Sequence, residues 1–394
     1  MPMTPSRKEE LVEFCQELVR TPSITGQEKA MANKIAAKME QLGYTGITID
    51  EFGSVIGKVR GQSDSPVILF DGHMDTAPIS DLSAWSHDPY AAEIEDGKIY
   101  GRGAADMKGA LAAMIYGIAS MIQIKDQLNG TIYVSCTVCE ERFEGISLGK
   151  VLDSFYADYV VIGEPSDLSL MIGQKGRAEI IIKTTGKNAH SARPNLGINA
   201  VYKMFPVIEG IKNIKLPRHD SLGEAVLELT DIISSPYPGT SVVPDLCIVT
   251  YDRRVLPGET KEEVLESIRN VIAGLAKEDP ELKATVGYSH SQEVCYTGAI
   301  IEADGFFPAW LLPRDSTLVE KALSSLMSIG VQPKLGTWPF CTNGSESAGR
   351  RDIPTIGFGP GSANQAHANN EYVEITQLLQ SHEGYAAISG SVLK

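Results

Sequence analysis

Val67-Ile68-Leu69-Phe70-Asp71-Gly72-His73-Met74-Asp75 is the stretch on which the fold turns. Its first four residues are apolar without a break, as expected of a strand covered on both faces by helices. His73 and Asp75 follow at the C-terminal end of that strand, the edge where open α/β sheets carry their sites. Residues two apart on an extended chain point the same way. Asp75 is therefore expected to accept the second ring N–H of His73, fixing its tautomer and raising its basicity.

Outward from this strand, helical spacing runs over 9–19 and 28–42, the second with Ser23 or Thr25 as possible caps and Gly43 as its stop. Strands are expected at 47–50, 55–60, 131–139 and 160–162. Alternating helices and strands through residue 172 predict an α/β sandwich. From Arg177 the pattern changes to a strand (178–185), a helix (199–211), two strands (225–233 and 246–255), a helix after Thr260 (261–277) and a last strand (283–289). That β-α-β-β-α-β order is ferredoxin-like. The fold class expected is thus α/β, a mixed-sheet α/β/α catalytic domain (1–177 and 291–394) with an inserted α+β domain (178–290).

A chain of 394 residues suits two domains better than one. With 43% hydrophobic and 22% charged residues it reads as an ordinary soluble protein. The net charge of −15 argues against nucleic acid and anionic membrane as partners, since both select basic surfaces. Residues 1–10 lack the apolar segment of a secretory signal, and the apolar run 110–124 is too short and too interrupted to span a bilayer. Six cysteines suit reduced thiols and a cytoplasmic setting. Cys136 and Cys139 match a Cys-x-x-Cys pair in spacing, but no helix begins there, so they are read as buried strand residues.

The chemistry lies in five short motifs: Gly72-His73-Met74-Asp75, the loop Gly101-Arg102-Gly103-Ala104-Ala105-Asp106, Glu140-Glu141, Gly163-Glu164-Pro165 and Ala366-His367-Ala368. Two histidines and three carboxylates can hold two divalent cations if one carboxylate bridges, and a glutamate then remains to act on water. That is the donor set of a two-metal hydrolase. Asp106 precedes an apolar helical run, 107–122, where a carboxylate also suits a helix N-cap. Imidazole mixed with carboxylate suits Zn²⁺, with Co²⁺ or Mn²⁺ as alternatives.

These motifs, in this order, resemble the co-catalytic zinc peptidases and deacylases, the family of acetylornithine deacetylase, succinyl-diaminopimelate desuccinylase, aminoacylase and glutamate carboxypeptidase. The resemblance implies His73, Asp106 and Glu164 on one ion and Asp106, Glu141 and His367 on the other, with Asp106 bridging. It implies Glu140 as general base and Asp75 as a catalytic partner of His73. It makes the inserted domain a lid and homodimerisation domain whose His190 donates to the reacting carbonyl in the partner subunit. Arg254, Asn343 and Gly344 match substrate-binding positions. Amide hydrolysis of a small carboxylate-bearing substrate follows, with an N-acyl amino acid deacylase preferred over a dipeptidase or carboxypeptidase. A catalytically silent metal-binding protein and a thiol redox protein are the other classes. The remaining histidines, His87, His219, His290 and His382, are expected at the surface.

Overall fold

The computed structural model describes residues 4–393, which divide into two compact units. Of the described residues, the first comprises 4–174, 292–301 and 310–393, and the second 175–291 and 302–309. The sequence reading ended the inserted domain at 290; here the chain also returns to it at 302–309, where Phe306–Phe307 pairs with strand Gly176–Thr185. The reason is local, because Phe306 packs edge-on against Tyr288 at 5.4 Å.

The first unit is built on a mixed nine-stranded sheet. At its centre Thr131–Thr137, Val67–His73, Tyr159–Ile162 and Thr355–Gly357 lie side by side and parallel. Antiparallel strands Val55–Arg60 and Leu170–Gln174 continue it on either side. Both faces of the central strand are covered, as its unbroken apolar run requires. Leu69 packs with Leu148, Val151 and Trp338 on one face. On the other, Phe70 meets Tyr385 of the terminal helix Ile375–Leu393 edge-to-face at 5.9 Å.

Helix Lys29–Leu42 ends at Gly43, left-handed at φ 90°, as read from the sequence. Neither expected cap serves it. Ser23 Oγ donates to the Met74 carbonyl and Thr25 Oγ1 to the Asp75 carboxylate, so both are drawn to the end of the central strand instead. The apolar segment 104–127 is long and apolar enough to cross a membrane by length and composition alone, but its most apolar part is mostly buried inside the protein. Its helix Gly109–Met121 crosses the terminal helix closely at Gly117, where a Cβ would stand 2.6 Å from the His382 carbonyl.

The second unit is built on a five-stranded antiparallel sheet, four strands in the order Val226–Ser235, Leu246–Val255, Gly176–Thr185, Lys283–Tyr288 and the short Phe306–Phe307 beside Gly176–Thr185. Helices Ala200–Lys212 and Lys261–Glu278 share its apolar cluster. This is the ferredoxin-like order read from the chain. Thr260 and Glu263 close a reciprocal capping box on the second helix. Strand Val226–Ser235 is an edge and leaves Ile232 and Ile233 about half exposed.

His382, expected at the surface, is buried in the terminal helix and hydrogen-bonded to the Tyr116 backbone. Burial lowers its pKa from 6.5 to about 4. The unfolded chain therefore binds a proton that the folded chain refuses between those values, and stability falls as pH drops through the window. The loss attributable to this ring is at most about 3 kcal/mol. Urea unfolding of His382→Gln should show a correspondingly flatter decline between pH 6.5 and pH 4 than the parent; an identical decline would exonerate His382.

Candidate metal centre

Register brings the motifs together. His73 is aligned with Thr137 and Asp71 with Ile162, so the loops carrying Glu140 and Glu164 leave the sheet at the level of His73. Cys139, left-handed at φ 57°, turns the chain out of its strand just before Glu140. Glycine at 72 and 163 admits Met107 between the strand ends, where a Cβ would lie 2.4 and 2.7 Å from its methyl group.

His73 is buried, and its Nε2 lies 3.1 Å from Asp106 Oδ1, 3.5 Å from Glu164 Oε1 and 3.9 Å from Glu140 Oε2. His367, exposed at φ 60°, places Nε2 2.8 Å from Glu141 Oε2 and 3.6 Å from Asp106 Oδ2. Asp106 thus faces one histidine with each carboxylate oxygen. It is not a helix cap: the helix starts at Gly109 with Lys108 in the cap position, two residues beyond Asp106, and no side chain caps it. The other oxygen of Glu141 accepts the Ala77 N–H at 2.9 Å, which fixes its direction.

The expected Asp75–His73 contact takes a different form. His73 Nδ1 bonds the Asp75 backbone carbonyl at 2.8 Å, while the carboxylate oxygen stands 3.7 Å away. The Asp75 carboxylate instead accepts from Glu140 N, Glu141 N and Thr25 Oγ1 at 3.0, 3.2 and 2.9 Å. Residues two apart do share a direction, but the Met74 turn brings the nearer carbonyl to the ring first. Asp75 holds the two-glutamate turn more than it orients the histidine.

Asn343 also departs from its expectation. It is buried, donates to Asp71 and Thr137 at 2.8 and 2.9 Å, and accepts the Gly145 N–H at 2.7 Å. Its amide is engaged within the fold, not toward a substrate. Gly344 packs against Trp310, where a Cβ would lie 2.5 Å from the indole nitrogen.

His190 and Arg254 belong to the second unit. His190 is exposed, and its Nδ1 accepts the Ala192 N–H at 3.0 Å, which leaves the neutral ring its proton on Nε2. Arg254 is forked onto Asp252 at 2.7 and 3.2 Å. Cys136 and Cys139 are buried free thiols. Sequence reasoning missed Glu371, a fully buried acid that accepts the N–H groups of Ala105 and Asp106 at 2.9 and 3.0 Å. Only its spacing from His367 could have drawn notice.

The electrostatics of the cluster are those of a cation site. Burial, with Glu164, Glu144 and Glu141 beside it, pushes Glu140 well above the usual carboxylate range. Burial and then Asp106 do the same to Glu164. Burial alone would disfavour the His73 cation, yet the surrounding Glu140, Asp106 and Glu164 raise it well above its ordinary value. The hydrogen bond to Glu141 lifts His367 to about 9. Carboxylates this crowded stand as anions together only with added positive charge. Glu140 Oε1 is buried with no hydrogen-bond partner among the described residues. Donor atoms of His73, Glu140 and Glu164, and of His73, Asp106 and Glu141, lie within 4.8 Å of one another. The residues fit divalent cations in number, type and placement.

A family model described as peptidase family M20/M25/M40 matches residues 69–390. The chain belongs to that family. It is a metal-dependent hydrolase acting on amide bonds, and its metals are divalent. The protein YgeY of Escherichia coli (strain K12), described as uncharacterized, is 32% identical over 96% of this chain and 93% of its own length. The succinyl-diaminopimelate desuccinylase of Wolbachia pipientis subsp. Culex pipiens (strain wPip) is 33% identical over 51% of this chain and 54% of its own. Among solved structures, aminopeptidase PepT from Bacillus cereus ATCC 10987 shares the fold with a TM-score of 0.75 at 24% identity, covering 98% of each chain.

Asp75→Asn should lower kcat by about 10–100-fold, the usual effect of removing a residue that supports ligands, because the Glu140–Glu141 turn loosens. The His73 ring bond, made to a backbone carbonyl, should survive, and the imidazole ¹⁵N shifts would report it. A displaced Nδ1 resonance would show that the carboxylate orients His73 after all.

Proposed function

We propose that the protein is an N-acyl amino acid deacylase that uses two divalent ions. The observation that carries the two-ion reading is the placement of one Asp106 oxygen toward each histidine. His73, Asp106 and Glu164 would hold one ion, and Asp106, Glu141 and His367 the other. Such ions polarise the amide carbonyl and acidify water. Zn²⁺ is the metal we favour, because imidazole and carboxylate are mixed.

Glu140 is the general base. Buried, with an oxygen that has no partner among the described residues, it would take the proton from the attacking water and return it to the leaving amine. The partner subunit's His190, with its proton on Nε2, would donate to the oxygen on which charge develops. Arg254 is our candidate for the substrate carboxylate; its fork is held by Asp252 in this structure and would have to pass from that carboxylate to the substrate's. The desuccinylase likeness supports deacylation over peptide cleavage. A dipeptidase or carboxypeptidase is the second reading, since it needs the same site and a similar small substrate.

A homodimer through the second unit is also our inference, supported by the open edge strand with Ile232 and Ile233 exposed. Free thiols support a reducing, cytoplasmic setting. The net charge of −15 supports small molecules over nucleic acid or membrane as partners.

Protein stripped of metal and resupplied with Zn²⁺, Co²⁺ or Mn²⁺ should cleave N-acyl amino acids from a panel that also contains dipeptides and tripeptides. Cleavage confined to peptides would replace deacylase by peptidase. Glu140→Gln should lower kcat by about 10²–10⁴-fold, the range for a lost general base, while both ions remain bound. Turnover at the parent rate would remove Glu140 from the mechanism.

A further inference from the structure

We propose that Glu371 is a positioning residue for the metal pair, folding the turn before Asp106 around its own carboxylate; this rests on the two-ion reading above. Backbone N–H groups converging from one turn ordinarily make a cradle for an external anion. Here the anion is internal. Glu371 Oε2 accepts from Gly103 N and Arg102 Nη1 at 3.0 and 2.7 Å, and Oε1 accepts from Ala105 N and Asp106 N at 2.9 and 3.0 Å. Both oxygens are saturated, and the residue is wholly buried. The Glu371 carbonyl accepts the Gly101 N–H at 2.8 Å, and Tyr372 pairs with Tyr100, so the cradle is also anchored through the backbone.

The link does not stop at Asp106. Arg102 Nη2 reaches the His367 carbonyl at 3.4 Å, and its guanidinium lies over Trp85 at 5.3 Å. One carboxylate therefore sets the peptide of Asp106 directly and the backbone of His367 through Arg102. Those are two of the three residues assigned to the second ion. His73 and Glu164 of the first ion are held by the ends of central strands. Loss of the Glu371 charge should consequently separate the two ions, loosening the second far more than the first. Glutamine cannot substitute, because its NH₂ group would face backbone donors.

The test is titration of Co²⁺ alone into stripped protein, followed by calorimetry and by the visible cobalt absorption. The parent should take two ions. Glu371→Gln should bind the second about 10–100-fold more weakly and the first less than tenfold more weakly, with the absorption of the second site altered. Glu371→Asp, which keeps the charge, should recover most of the second-site affinity. If Glu371→Gln does not fold, Arg102→Gln serves in its place and should weaken the second ion about tenfold. Two ions at parental affinity in Glu371→Gln (or in Arg102→Gln where that stands in), or equal damage from Gln and Asp, would overturn the inference alone. A parent that takes a single ion would overturn the two-ion reading and this inference together.

Discussion

One carboxylate facing two imidazoles is the constraint around which the catalytic unit is arranged. Asp106 must direct its oxygens toward His73 on one side and His367 on the other, at 3.1 and 3.6 Å, from within a buried turn. A helical residue could not do this, because its side chain would follow the helix surface. The chain therefore delays the helix until Gly109 and holds the turn open with Glu371. The parallel sheet supplies the rest. Strands in register end together, and the donors of three separated motifs arrive at one edge.

The same arrangement is electrostatically demanding. Asp106, Glu140 and Glu164 are all buried, and burial without positive charge drives carboxylates to protonate. The fold answers part of this with backbone donors. Ala77 N–H holds Glu141, and the Glu140 and Glu141 N–H groups hold Asp75. What remains is the requirement for divalent ions that the family membership also states. The two sides of the site are unequal: His73 is sealed inside, whereas His367 is open to solvent.

Much of this was legible in the chain. Unbroken apolar runs such as Val67–Phe70 announced buried parallel strands, and Gly43 announced a helix end. The β-α-β-β-α-β unit was readable because alternation in Gly176–Thr185 and Leu246–Val255 is a property of each strand alone. The five ligand motifs were readable because each sits beside such a strand or in a glycine-rich turn. Ser23 and Thr25 were misread as caps because the competing acceptors, Met74 and Asp75, lie about fifty residues away in the chain. His382 was misread because helical periodicity in an apolar terminal helix does not mark one polar residue as buried.

By itself, the sequence determined the kinds of donor, their order, and the strands that carry them, since hydrophobic period and local turn chemistry are encoded in neighbouring residues. Only the tertiary structure decided which atom meets which. It gave His73 a backbone carbonyl where a carboxylate was expected, turned Asn343 inward, returned 302–309 to the second unit, and placed Glu371 under Asp106. Those outcomes depend on distances between segments remote along the chain, and a hydrogen bond is settled by a few tenths of an ångström that no local pattern specifies.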